Sequence, residues 1–219
     1  MFLQAEEQPW IIWSWLFTHV QVLLDAISQH VQLTVIAVGL GLVISLPLGV
    51  FAHRWNRLRN PVLTVFGIFY TIPSLAIFSV LVPYTGLSVL TAEIGLVGYT
   101  VLILVRNILV GLEAVPRDVI DAADGMGYRP MARLLRVELP LALPAIFAGV
   151  RIATVTTIGL VTITAVIGLG GLGQLIYDGL IDDFRTPLLL GTLLSILLAL
   201  VADLALAGVQ RLAVPWART

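Results

Sequence analysis

The run VQLTVIAVGLGLVISLPLGVFA, residues 31–52, contains no charged side chain. A helix rises about 1.5 Å per residue, so roughly 20 apolar residues cross the ~30 Å hydrocarbon core of a bilayer. Four further runs meet that length: residues 61–82, 94–112, 146–167 and 187–209. In hydrocarbon a backbone has no solvent partners, and a helix bonds its own groups. The sequence therefore predicts an all-α integral membrane protein with five transmembrane helices, packed as one domain over residues 31–209. Composition agrees, with 59% of residues hydrophobic and 11% charged, against about 25% charged in a soluble domain.

An earlier stretch, WIIWSWLFTHVQVLL at residues 10–24, is apolar but short for a crossing. Its tryptophans suit a helix lying in the headgroup layer, with a sixth, shorter span as the alternative. Residues 1–30 are thus expected to form an outer-side interfacial segment. They do not read as a signal peptide: Glu6 and Glu7 stand where positive charge belongs, and no small-residue cleavage site follows.

Arginine placement orients the chain. With the N-terminus outside, the inner loops and a cytoplasmic tail at residues 210–219 hold Arg54, Arg57, Arg59, Arg117, Arg129, Arg133, Arg136, Arg211 and Arg218. The outer loops hold only Arg185. The bias predicts a multi-pass protein of the cell membrane, N-terminus outside and C-terminus cytoplasmic.

What the chain lacks narrows its chemistry. All 12 basic residues are Arg, so there is neither the Lys of a phosphate-binding P-loop nor one for a Schiff base. Any ATP hydrolysis must then reside on another chain. There is no Cys, hence no disulfide or thiol nucleophile. His19, His30 and His53 are scattered without metal-ligand spacing, so no metal site is expected. A net charge of −1 offers no bulk attraction to nucleic acid. No His/Asp, Ser/Lys or paired-Asp arrangement sits at a depth and spacing that suits an intramembrane enzyme, so no catalytic residue is assigned.

Inside the spans a few residues stand out. Ala37, Gly41, Ser45 and Gly49 recur at steps of four and line one helix face, where another backbone can approach; Pro47 is placed to kink the same helix. The fourth run carries Thr154, Thr156, Thr157, Thr162 and Thr164. Of these, Thr157 and Thr164 share a face and are the candidates for lining a polar path; the alternative is bonding to helix carbonyls. Asp203 lies within the fifth run, at a depth comparable to Arg106 and Arg151, and an ion pair with one of them is expected to order the inner end of the bundle. Asp178, Asp182 and Asp183 fall in a predicted outer loop.

Between the third and fourth runs lies a loop, residues 113–143, dense in charge: Glu113, Arg117, Asp118, Asp121, Asp124, Arg129, Arg133, Arg136 and Glu138. Two short helices fit. One begins at Pro116 and stops near Gly125–Gly127, where glycine permits a left-handed cap. The second restarts at Pro130 and is expected to halt before Pro140. Val119, Ile120, Ala123 and Met126 form an apolar stripe on the first, and Met131, Leu134 and Leu135 on the second, opposite Arg129, Arg133 and Arg136. A solvated loop resting on the bundle and a docking element for a partner both accommodate this pattern.

The spacing Asp121-Ala122-Ala123, three residues, Gly127, nine residues, Val137, one residue, Leu139-Pro140 resembles the EAA loop of binding-protein-dependent ABC importer permeases, with Asp for Glu and Val for Ile. The resemblance implies the fold of a type I ABC importer permease and no cofactor on this chain. It implies as partners two ATP-binding subunits carrying ATP and Mg, a second permease copy, identical or not, and an extracytoplasmic substrate-binding protein. It assigns Asp121, Ala122, Ala123, Gly127, Leu139 and Pro140 to coupling helices seated on the ATPase, with the flanking charges, Arg129 and Arg133 among them, giving directional pairing. TIPSLAIF at residues 71–78, VIGLGGLGQLIYDGL at 166–180 and LLALVADLAL at 197–206 resemble the glycine betaine, choline and carnitine branch. That implies a quaternary-amine compatible solute, a cation held on aromatic faces, for which Tyr70 and Tyr99 are path candidates beside core packing. A permease for another small solute such as methionine is the alternative. A standalone channel or membrane scaffold, which predicts no ATPase partner, is the alternative of a different class.

Overall fold

The structure, a computed structural model, describes residues 9–217. Glu6, Glu7 and Arg218, used above for the signal peptide and orientation, lie outside the described residues. Ten α-helices follow in order: α1 (Trp13–Thr18), α2 (Val20–Arg54), α3 (Asn56–Thr71), α4 (Ser74–Thr85), α5 (Val89–Glu113), α6 (Arg117–Gly125), α7 (Pro130–Arg133), α8 (Leu139–Ile163), α9 (Leu172–Ile181) and α10 (Arg185–Ala213). Among the described residues none is in a strand.

The centre is α5, which buries Thr91, Leu96, Val101, Leu104, Ile108 and Leu112 along its length. The stripe of small residues on α2 explains how it does so. Ala37, Gly41, Ser45 and Gly49 are all buried. A Cβ at Gly41 would fall 2.0 Å from Thr100 Oγ1, and one at Gly49 would fall 2.5 Å from Ile108. At that approach Ser45 Oγ donates to the Val101 carbonyl (3.3 Å). Lipid tails are as apolar as leucine, so such close packing and interhelical bonding hold spanning helices together. On its other side α5 meets α8, where Gly149 lies against Asn107 and Gly111 against the Ala142 carbonyl.

Several expected boundaries move. The first span begins at Val20, not Val31, and its 35 residues run through Pro47; at about 1.5 Å each they measure roughly 52 Å, longer than the hydrocarbon core. Residues 20–30 thus belong to α2, and the expected interfacial helix is reduced to α1. There Trp15 stacks on His19 (4.3 Å) and meets Phe184 edge-on, while the Ile12 N–H donates to Thr186 at the head of α10. The second span is broken. Pro73 has no N–H to give, α3 and α4 meet at 92°, and they count as one crossing only when taken together. Four helices are each long and apolar enough to cross alone: α2, α5, the continuous stretch Pro130–Ile167, and α10.

That continuous stretch corrects a second expectation. The helix beginning at Pro130 does not halt before Pro140. A π turn at Leu134–Glu138 carries it onward, with the Leu139 N–H reaching back five residues to the Leu134 carbonyl. This wider turn absorbs the helix geometry that Pro140 would otherwise break. The predicted outer loop is likewise α9. It follows a turn at Gly168 and Gly171 (φ +77° and +52°), and it packs on α10 where Gly191 admits the Leu172 carbonyl.

Gly41→Ala is expected to lower the stability of the detergent-purified protein by about 1–3 kcal/mol, the usual cost of overpacking. Gly39, two residues away, has nothing within 4 Å of an added Cβ, so Gly39→Ala is expected to be neutral or stabilising by up to about 1 kcal/mol. Thermal unfolding of the two variants side by side is the measurement, and equal midpoints would refute the α2–α5 account.

Candidate functional site

Two regions of the surface carry polar structure that lipid would not tolerate. The first is the elbow formed by α6, its turn and α7. Pro116 caps α6 and Asp118 lies in its first turn, where the positive end of the helix dipole favours it. The helix ends in a Schellman arrangement: the Tyr128 N–H bonds the Ala123 carbonyl (3.1 Å), the Gly127 N–H bonds that of Asp124 (2.9 Å), and Gly127 sits at φ +79°. Glu138, buried at the base of the π turn, clamps the elbow. It accepts from Arg133 Nε at 2.8 Å and lies 3.5 Å from His53 Nε2 of α2, while Arg133 also bonds Asp124 of α6. One carboxylate thereby joins α2, α7 and the start of α8, and its Arg133 partner adds α6.

The apolar stripes of the elbow do not rest on the bundle as a whole. Ala123 is buried, but Met126 is 71% exposed, Met131 65% and Leu135 57%. Asp121, Ala122, Gly127 and Arg129 are exposed beside them. Between the elbow and the C-terminal end of α2 opens a cavity of about 550 Å³, with Phe51, His53, Arg54, Arg129, Met131 and Glu138 among its walls.

The second region is a groove along α8. Arg151 and Asp203 face each other there in a bidentate pair, Nε to Oδ1 and Nη2 to Oδ2, both at 2.8 Å. The pair lines a cavity of about 510 Å³ with Ile152, Val155 and Thr156. Thr156 also lines the next cavity, of about 260 Å³, formed at the α3–α4 break by Tyr70, Thr71, Ser74 and Tyr99. The Tyr99 hydroxyl donates to the Ile72 carbonyl, and the Tyr70 and Tyr99 rings meet edge-to-face at 5.6 Å. Among the described residues no three His, Asp or Glu side chains come together as a metal site requires.

Residues 37–213 match the model of the family described as binding-protein-dependent transport system inner membrane component. The chain belongs to this family. It is 40% identical over 192 residues to the osmoprotectant import permease protein OsmW of Salmonella typhimurium, covering 85% of this chain and 89% of that one. It is 35% identical to the choline transport system permease protein OpuBB of Bacillus subtilis, over 85% and 86% of the two chains. A permease/ergothioneine binding protein, EgtU of Helicobacter pylori, is 40% identical over 74% of this chain but 29% of its own length. Among solved structures, the inward-facing MetNI methionine ABC transporter superposes with a TM-score of 0.80 at 23% identity, covering 90% of this chain and 98% of that one. The architecture is that of a type I ABC importer permease.

Against this fold the residues singled out in the permease sequence divide. Asp121, Ala122, Gly127 and Arg129 stand on the exposed elbow, whereas Ala123 packs inward, Arg133 spends its guanidinium on Asp124 and Glu138, and Leu139 and Pro140 are half-buried at the head of α8. Asp203 meets Arg151 and not Arg106, which is exposed on α5 and forms no ion pair among the described residues. Tyr70 and Tyr99 share a cavity. Thr157 and Thr164 do not reach one: both are buried, and Thr164 Oγ1 bonds the Val161 and Leu169 carbonyls. One position earlier than Thr157, Thr156 faces the groove. Neither Thr156 nor Ser74 was reachable from periodicity alone, because the break that exposes them is tertiary. Glu138 carried only the signal of an acid beside a proline-bounded helix.

Asp203→Asn is expected to reduce the yield of monodisperse protein from membranes several-fold, since it leaves Arg151 half-paired within the bundle. Arg106→Gln is expected to leave that yield unchanged. Size-exclusion chromatography of fluorescent fusions reads both, and equal losses would mean that the pair does not order the bundle.

Proposed function

We propose that the chain is the permease subunit of an ATP-driven importer for a quaternary-amine compatible solute of the glycine betaine, choline or carnitine type. The solute class rests on the similarity to OsmW and OpuBB. The coupling role rests on one observation: Met126, Met131 and Leu135 stand exposed among the charges of the elbow. An apolar patch ringed by charge is the composition of a docking surface. In this reading it faces the cytoplasm, N-terminus outside, and seats on an ATP-binding subunit that carries ATP and Mg. Two permease copies, two ATPases and an extracytoplasmic binding protein complete the importer, and nucleotide-driven closure of the ATPases levers the bundle between outward- and inward-open states. The transmembrane domain, expected from the sequence over residues 31–209, begins in this reading with α2 at Val20, and residues 113–143 act as its coupling segment.

The test is uptake by proteoliposomes holding the permease, its ATPase and its binding protein. ATP-dependent entry of labelled glycine betaine, choline or carnitine is the expected result. The 40% identity to EgtU supports a second reading, with ergothioneine, itself a trimethylammonium carboxylate, as the solute; uptake of ergothioneine alone would replace the osmolytes with that betaine, and uptake of methionine alone would overturn the quaternary-amine reading. Gly127→Val separates the elbow from the solute. A β-branched residue at φ +79° is strained by about 1–2 kcal/mol or more, so the variant is expected to insert normally and to lose most ATP-driven uptake. Wild-type uptake in Gly127→Val would remove the elbow from the coupling path.

A further inference from the structure

The break between α3 and α4 does more than bend a span. Ile72 and Pro73 are extended (φ −70°, ψ 129° and φ −56°, ψ 133°) and Pro73 has no N–H, so the last carbonyls of α3 and the first N–H groups of α4 are helix-end groups outside the i→i−4 ladder. The Thr71 hydroxyl turns back to the Ile68 carbonyl and the Tyr99 hydroxyl takes that of Ile72, so neither relieves them. Orphaned backbone groups at membrane depth are costly and are found where they line a cavity. Here a cavity of about 260 Å³ is lined by Tyr70, Thr71, Ser74, Tyr99 and Thr156.

The polarity of the break is ordered. The C-terminal, negative end of the 16-residue α3 meets the N-terminal, positive end of the 12-residue α4 at 92°. The C-terminal carbonyls of α3 and Tyr70, 40% exposed, lie on the α3 side; amide and hydroxyl donors of Ser74 lie on the α4 side. A permethylated ammonium donates no hydrogen bond and is held by π faces and carbonyl dipoles. A carboxylate requires donors and a positive helix end. No side chain lining the cavity carries a charge, so a bare cation would enter uncompensated.

We propose that this break is a translocation subsite for a zwitterion, a betaine whose onium head lies toward Tyr70 and the α3 carbonyls and whose carboxylate lies toward the first turn of α4. The assignment rests on the quaternary-amine reading above and refines it: the subsite prefers an onium carboxylate to an onium alcohol. Thr156, shared with the cavity of the Arg151–Asp203 pair, marks where the solute passes down α8.

The chain has no Cys, so Thr156→Cys is a unique reporter. In the purified permease–ATPase complex, labelling of that cysteine by methyl methanethiosulfonate is followed by mass spectrometry of the permease chain. Glycine betaine is expected to slow labelling about fivefold or more at a concentration where choline, which lacks the carboxylate, and acetate, which lacks the onium, leave it unchanged. Tyr70→Phe is expected to keep the protection and Tyr70→Leu to abolish it. Equal protection by choline, protection that survives Tyr70→Leu, or none by glycine betaine would overturn the subsite. The labelling needs neither binding protein nor transport. Protection in a complex that imports no quaternary amine therefore leaves the subsite standing and fails the importer reading alone, and uptake without protection does the reverse.

Discussion

The smallness of the residues on one face of α2 is the constraint on which the bundle depends. With no water to expel, two helices in lipid gain little from apolar contact alone, and they need their backbones close. Gly41 and Gly49 let Thr100 and Ile108 occupy the space where their own Cβ atoms would be. Thr100 then donates to the Ala37 carbonyl as well as to Val97 of its own helix. Once α5 is fixed against α2, α8 completes the sandwich through Gly111 and Gly149. The broken pair α3–α4 drapes over the remaining flank, with Phe78 filling the space left by Gly95 and Phe69 that left by Gly98.

Continuity from Pro130 to Ile167 then has mechanical meaning. The elbow is the N-terminal end of a rod, not a loop hung between two rods. The π turn keeps α7 in line with α8 despite Pro140 and Pro144, and Glu138 ties the joint to α2 through His53 and to α6 through Arg133. A push on α7 is therefore delivered to the same helix that carries Arg151 and Thr156. Coupling through packed, hydrogen-bonded elements needs such stiffness at the joint, because a flexible loop would absorb the displacement locally.

How much of this could be read from the sequence follows from the range of each interaction. The apolar runs, the small-residue stripe and the Pro116–Gly127 helix and turn were legible because hydropathy, side-chain size and backbone freedom are local. The fold class followed from them. The start of α2 at Val20 was missed because Gln21, Asp25 and Gln29 end the apolar signal without ending the helix; Gln21 and Asp25 bond each other along its surface. The break at Pro73 was hidden inside an unbroken apolar run. Of the candidate path residues, Tyr70 and Tyr99 line the cavity at the break while Thr157 and Thr164 are buried, for a geometric reason. Successive helix positions turn by about 100°, so Thr156 and Thr157 point to different environments, and periodicity alone did not say which faced the groove. Choosing Arg151 over Arg106 for Asp203 required knowing that α10 packs on α8.

The distribution of polarity over the membrane-facing surface gives the last step. On α10, Leu193, Ile196, Leu197, Leu200 and Leu204 stand exposed and suit lipid tails. The groove does not. Arg151 and Asp203 each remain about one-third exposed (33% and 32%), and Thr156 and Tyr70 continue that polar strip to the break. A charged pair at this depth gains from low dielectric only when the rest of its hydrogen-bonding surface is also satisfied. Hydrocarbon satisfies none of it. The groove must therefore be covered by water or by another polypeptide, while the leucine face of α10 takes the lipid. The sidedness of the chain in the bilayer plane is thus set by the same rule that sets its helices: a polar group within the membrane is bonded, buried or bathed.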